Sequence, residues 1–233
     1  MSNSISRNVV KTIFPIFDSP WGMHWRARIA DLRGRGVYAA HANDHGCIFI
    51  HIPKTGGSSV AQILFGKESR HISWDEYYIA NPVKFRRLYK FAFVRNPWDR
   101  LVSTYFFLKN GGLNYLDRDW ADRNLSGYPD FASFVRGWVS DVNINSWVHF
   151  RPQWQFVARE TGELMVDYVG RFEKIDESFQ DVARALNIKA ELPMTNKGSH
   201  RHFTDYYDDE TKEIVRKVYI RDIELFDYRF DKG

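Results

Sequence analysis

The chain has 233 residues, 44% of them hydrophobic, with 8 Trp, 12 Tyr and 18 Phe, which excludes a disordered or low-complexity protein and leaves room for one α/β domain with a sizeable core. Lys and Arg number 33 against 29 Asp and Glu, and a formal charge of +4 suits an anionic ligand without the basic blocks of a nucleic-acid tail. No stretch reaches the about 18 apolar residues of a membrane span. The polar start Met1-Ser2-Asn3-Ser4 also lacks the plan of a signal peptide, so a cytoplasmic location is expected if the chain is full-length.

Residues 1–36 read as a lead-in packed on a single main domain, with Trp21, Trp25, Ile29 and Leu32 at helical intervals before Arg33-Gly34-Arg35-Gly36 breaks the pattern. Cys47 to Ile52 is a short apolar strand; Cys47, the only cysteine, cannot form an internal disulfide and reads as a small buried hydrophobe. Pro53-Lys54-Thr55-Gly56-Gly57-Ser58-Ser59 follows, then Val60, Ile63 and Leu64 at helical spacing, with Gly66 as the stop. Phe91 to Val94 is a second strand, and Asn96-Pro97 starts the next helix as cap and first residue. Lys109 to Pro129 is polar and rich in Gly and Asp, which predicts a long surface excursion, suited to shaping an acceptor cleft, before a helix resumes near Asp130. Met165 to Val169 is the third strand. Phe179, Val182 and Leu186 mark one later helix, and Ile214, Val215 and Val218 another. Strands alternating with helices predict a parallel sheet flanked by helices on both faces.

A loop between a strand end and a helix start presents unpaired N–H groups and a positive dipole to a phosphate-like anion. Lys54 adds a charge, Thr55, Ser58 and Ser59 add hydroxyls, and Gly56 and Gly57 permit close backbone approach; the alternative is an ordinary βα turn. A nucleoside-triphosphate loop places its lysine after the glycines and follows it with a magnesium-binding Ser or Thr. Here the lysine comes first and the second strand ends in Arg95, which points away from a kinase and towards metal-free transfer.

Ile48 to Ser59 resembles the 5′-phosphosulfate loop of sulfotransferases that use 3′-phosphoadenosine-5′-phosphosulfate (PAPS), especially the carbohydrate branch and its uronyl 2-O-sulfotransferases. Phe91 to Tyr105, Phe-Ala-Phe-Val-Arg-Asn-Pro-Trp-Asp-Arg-Leu-Val-Ser-Thr-Tyr, resembles the 3′-phosphate segment of the same family. The resemblance implies a P-loop-like sulfotransferase fold and transfer of a sulfuryl group from PAPS to a hydroxyl, with 3′-phosphoadenosine-5′-phosphate as product and no metal. It implies that Arg95 and Ser103, about two helical turns apart, hold the 3′-phosphate; a simple Arg–Asp surface pair is the competing reading. It further implies that Lys197, Gly198, Ser199 and Arg201 close over the nucleotide, with a mobile basic loop as the competing reading; for adenine the sequence offers Phe172 or Trp98 without choosing between them.

Within that frame Lys54 is expected to clamp the charge that develops on the leaving oxygen. A base is needed for the acceptor hydroxyl, and an imidazole suits it. His71 holds the position in which the resembling enzymes carry their catalytic histidine, with His149 or Glu68 as substitutes and His51 beside the loop; His149, in the block His149-Phe150-Arg151-Pro152-Gln153 that also resembles the carbohydrate branch, would alternatively bind the acceptor. Arg70, Lys109 and Arg151 would suit an acidic acceptor, and Trp74, Tyr77 and Tyr78 a sugar face. The expected partner is a glycan or glycoconjugate rather than nucleic acid. Two other functions remain open: an ATP-dependent kinase, which predicts magnesium-dependent turnover, and an anion- or RNA-binding module, which predicts steeply salt-sensitive binding.

Overall fold

A computed structural model describes residues 20–39, 42–192 and 201–231. Helix α1, Pro20–Leu32, opens this part of the chain, and α2, Ala42–His45, precedes strand β1, Cys47–Ile50. Then come α3, Gly57–Phe65; α4, Trp74–Ala80; α5, Pro82–Arg87; and strand β2, Tyr89–Val94. The long α6, Pro97–Lys109, is followed by α7, Tyr115–Asn124; α8, Phe131–Trp138; α9, Trp154–Val157; and strand β3, Tyr168–Arg171. Helices α10, Ile175–Ala185; α11, Asp209–Val218; and α12, Ile220–Leu225, complete the α/β fold.

The three strands pair in parallel in the order β1-β2-β3, with Phe49 opposite Phe91 and Phe93 opposite Gly170. Every residue of β1 is buried, as expected of a parallel strand with no polar alternation. Because successive side chains leave opposite sides of a strand, the apolar residues divide between two clusters. Ile48, Ile50, Ala92 and Val94 pack with Tyr77, Ala80, Phe85 and Phe156, whereas Cys47, Phe49, Phe91 and Phe93 pack with Val60, Ala61, Phe179 and Val182. A third cluster, rich in aromatic rings, joins α6, α7, α8 and α11 through Leu101, Tyr105, Trp120, Phe134, Trp138 and Val215.

The caps follow the sequence closely. Asn96 accepts from the Trp98 amide with Pro97 at the first helical position, Asp130 closes a capping box, and Gly66 ends α3 at φ 65°. Two expectations need correction. The region from Lys109 to Pro129 is not a bare excursion: Asn114 accepts from the amides of Leu116 and Asp117 and starts α7, whose Trp120 joins the aromatic cluster. The third strand begins at Tyr168, three residues later than Met165, because Leu164 instead bridges antiparallel to Ala158. In the lead-in, α1 lies against α4, and its buried Asp31 accepts from Lys84 Nζ of α5 at 3.0 Å and from Nδ2 of Asn81, between α4 and α5, at 2.8 Å. Among the described residues no helix is long and apolar enough to cross a membrane.

Candidate active site

The chain leaves β1 through His51 and turns at Lys54 (φ +67°) and Gly56 (φ +78°) into α3. No side chain caps this helix, so its first amides face outward unsatisfied by the protein's own caps. The glycines here make room for protein groups. A Cβ on Gly57 would overlap the His51 ring, and one on Gly56 would overlap Ile175 and crowd Phe172. The turn is therefore moulded around His51 on one side and the start of α10 on the other.

Lys54, Gly56, Gly57, Ser58, Ser59, His71, Arg95, Ser103 and His149 line one cleft of about 610 Å³, together with His51, Phe107, Asp117, Trp147 and Phe172. Two segments separated by more than thirty residues thus converge at the ends of β1 and β2. Thr55 behaves differently: its hydroxyl donates to the Ile52 carbonyl at 2.9 Å and it is fully buried, so its side chain braces the turn. Lys54 Nζ lies 4.0 Å from the centre of the Phe107 ring, and burial, with Arg95 nearby, lowers the ammonium to about 8 against an opposing pull from Asp117.

Arg95 donates twice to Asp99, from Nε and Nη2 at 2.8 Å each, and once from Nη1 to the Lys54 carbonyl at 3.2 Å. Its guanidinium lies 4.2 Å from the centre of the Phe172 ring. The Arg–Asp pair weighed from sequence exists, and its Arg95, only 15% exposed, lines the cleft rather than an open surface. Three of five guanidinium N–H groups are engaged in this way, which fixes the plane and leaves the rest for a ligand.

The histidines form a row. His71 Nδ1 donates to the His51 carbonyl at 2.9 Å; a carbonyl only accepts, so the proton sits on Nδ1 and Nε2 carries the lone pair. The His51 and His71 rings lie 4.4 Å apart, and those of His71 and His149 5.6 Å apart. Burial lowers the pKa of His71, partly offset by its bond to His51. Burial also holds His149 well below the usual imidazole range, against the pull of Asp117, whose Oδ1 lies 3.1 Å from Nε2.

Several expected contacts fall elsewhere. Trp98 donates to the Lys212 carbonyl and faces a separate depression, which leaves Phe172 as the aromatic ring beside the loop. Tyr77 is wholly buried and Trp74 donates to the Ala158 carbonyl, so both belong to the packing of α4. Arg151 is held by Gln155, Lys109 by Tyr105 and the Pro129 carbonyl, and neither lines the cleft; nor do Arg70 and Glu68. Arg201 lies over Tyr206, while Lys197, Gly198 and Ser199 are outside the described residues. Sequence reasoning missed Asp117, Phe107 and Trp147. The only local sign for Asp117 was Asn114, a helix-cap residue three positions earlier, hidden in a stretch that otherwise reads as loop.

Arg100, buried to 1% exposure, turns away from Asp99 and donates to the carbonyls of His149, Phe150 and Arg151. It thereby fixes the backbone that carries His149. Gln153 completes the join: its side chain accepts from the Arg95 amide and donates to the Arg95 carbonyl, both at 2.8 Å.

The chain is 26% identical over 195 residues to carbohydrate sulfotransferase 12 of Mus musculus, a match covering 70% of this chain and 44% of that protein. It therefore spans under half the length of that curated relative. An uncharacterized protein of Archaeoglobus fulgidus is 30% identical over 103 residues, 44% of this chain and 70% of its own length. Residues 39–229, a span that holds all three strands and both cleft-forming segments, match the sulfotransferase family as a whole, and the chain belongs to that family.

Proposed function

We propose that the chain moves a sulfuryl group from PAPS to an acceptor hydroxyl on a carbohydrate or similar polyol. The observation that carries this reading is that the lysine-first turn and the Arg95–Ser103 couple line the same cleft, so one nucleotide with anionic groups at both ends suits both. An uncapped helix start with a half-buried ammonium beside it fits a phosphosulfate group. The name of the mouse relative supports a carbohydrate acceptor. The reading also takes the three strands as a P-loop-like sheet with helices on both faces, supported by the division of alternate strand residues between two clusters.

Bound PAPS supplies an activated sulfuryl group with a good leaving group. Lys54, poorly solvated and over Phe107, neutralises negative charge at the turn more strongly than an exposed lysine would, and the Gly57 and Ser58 amides assist it. Arg95 meets the 3′-phosphate with its remaining N–H groups while Asp99 and Phe172 hold its plane, and Ser103 adds a hydroxyl. His71 is the base: with Nδ1 tied to the His51 carbonyl, Nε2 takes the hydroxyl proton, and burial keeps the ring neutral and ready.

Thermal stabilisation by 3′-phosphoadenosine-5′-phosphate compared with ADP and AMP tests the proposal. A shift selective for the bisphosphate is expected. Equal shifts with all three nucleotides would remove the role given to Arg95 and Ser103.

A further inference from the structure

Buried polar atoms in folded proteins nearly always have a partner, so the exceptions need a reason. Among the described residues, four buried side-chain atoms have none: Tyr77 Oη, Arg100 Nε, Trp147 Nε1 and His149 Nδ1. The last two lie on the same short segment, both residues line the cleft, and their rings are 6.3 Å apart. They are also opposite in kind. An indole N–H can only donate. Asp117 Oδ1 accepts from His149 Nε2, which puts the proton there and leaves Nδ1 as a bare lone pair that can only accept.

The two rings are held in place from behind. Trp147 stacks on Trp120 of α7, with ring centres 5.8 Å apart and 19° between planes. Asp117, 3% exposed, spends its other oxygen on the Leu113 amide at 3.0 Å, and a side chain at Gly112 would overlap it. His149 is 8% exposed, and its carbonyl is fixed by Arg100 and by Thr104. The groups that face the imidazole are Asp117 from α7, Phe107 from α6, and Lys54 and His71 from the loops around α3. None of them is placed to donate to Nδ1.

A fixed donor beside a fixed acceptor is the complement of hydroxyl groups, which both accept and donate. We propose that Trp147 and His149 form an acceptor subsite that reads hydroxyls of a polyhydroxylated molecule beyond the one attacked at His71, with Asp117 as the positioning residue that sets the His149 tautomer. This rests on the sulfotransfer reading for the name of the reaction, but the subsite itself rests on the two unpartnered atoms.

The test is nuclear magnetic resonance of the full chain with 15N-labelled histidine and tryptophan, in the presence of 3′-phosphoadenosine-5′-phosphate. His149→Gln and Trp147→Phe assign the two signals. In the wild type, His149 is expected to show an unprotonated Nδ1 and a protonated Nε2 throughout pH 6 to 8. Methyl glucoside, methyl galactoside and glycerol, each taken to high concentration, should shift both the Trp147 indole and the His149 Nδ1 signals in a saturable manner for at least one of the three, whereas 1-propanol should not. Asp117→Asn keeps the shape but can accept only one of the two N–H groups the carboxylate takes, so the single tautomer should give way to a mixture; Asp117→Ala repeats the test without an amide. A protonated Nδ1 in the wild type, an unchanged tautomer in both Asp117 variants, or no saturable response to any polyol overturns the proposal. Polyol shifts in a chain that the bisphosphate fails to stabilise would keep the subsite and sink the donor assignment instead.

Discussion

Lys54 combines a backbone and an electrostatic cost in one residue. Its φ of +67° is a left-handed conformation that disfavours a side chain by roughly 1–2 kcal/mol, and burial brings its ammonium down to about 8. Both costs make sense where a charge must stand close to a bound anion. An anion binds the protonated amine, so bisphosphate affinity should be level below pH 8 and weaken above it, by up to about tenfold per pH unit, until the pKa of the bound state is reached. Calorimetric titrations from pH 6.5 to 9.5 would show this, and affinity that stays flat to pH 9.5 would contradict it. Lys54→Gly relieves the backbone while removing the charge. It should melt no lower than the wild type yet bind the bisphosphate about tenfold or more weakly. His71 has the opposite sign of pH dependence, because a base must be unprotonated. Burial lowers its pKa, so transfer is expected to fall off only at a pH below that at which an ordinary imidazole becomes protonated. His71→Ala should cut transfer by about 10²-fold or more while bisphosphate affinity stays within about twofold, measured by label transfer and calorimetry.

At the level of elements, the turn into α3 is a contact between Gly57 and His51 as much as a cradle. Alanine is the better helix former by roughly 1 kcal/mol, so Gly57→Ala should stabilise if only propensity mattered. The added methyl instead meets the His51 ring, whose carbonyl holds His71 Nδ1. A net loss of about 1–3 kcal/mol is expected, read as a lower melting temperature; an unchanged or higher one would show that the ring moves aside freely. The sequence made this element legible because its strand, glycines and helix spacing are all local. The start of α6 was legible for the same reason, with Asn96 and Pro97 side by side. What stayed hidden depends on distant partners. α7 has a polar composition that reads as loop, and it is Trp120 packing against Trp138 and Phe150 that makes it a helix lying over the cleft. The pairing of Asp117 with His149 spans 32 residues and leaves no periodicity to detect. Arg70, Lys109 and Arg151 failed as cleft residues for a related reason: charge type is visible in a sequence, but the direction of a long side chain is not.

Across the whole molecule, Arg100 ties the segment that carries Trp147 and His149 to the helix that follows Arg95. It sits on α6 between Arg95 and Ser103, and its guanidinium reaches three consecutive carbonyls at 149–151. Two residues later, buried Asp222 of α12 accepts from the amides of Gln153 and Trp154, and Gln153 in turn clasps the backbone at the end of β2. One segment therefore carries His149 and Trp147 into the cleft and also fixes the strand end from which Arg95 projects. Burial works against the Arg100 charge, and Asp222 acts through space to favour it. Arg100→Met preserves much of the volume but leaves three carbonyls without their donor, so a loss of roughly 3 kcal/mol is expected. For a chain of this size that corresponds to a fall of about 6–12 °C in Tm. Arg100→Lys keeps the charge but cannot span three acceptors, so it should fall between the two. The network makes a further demand that simple destabilisation does not. Lys54 and Arg95 retain their own partners in Arg100→Met, so below its melting temperature the variant should still bind bisphosphate. Transfer should fall more than binding does, because His149 and Trp147 lose their support. Equal losses of binding and transfer would mean that Arg100 serves stability alone.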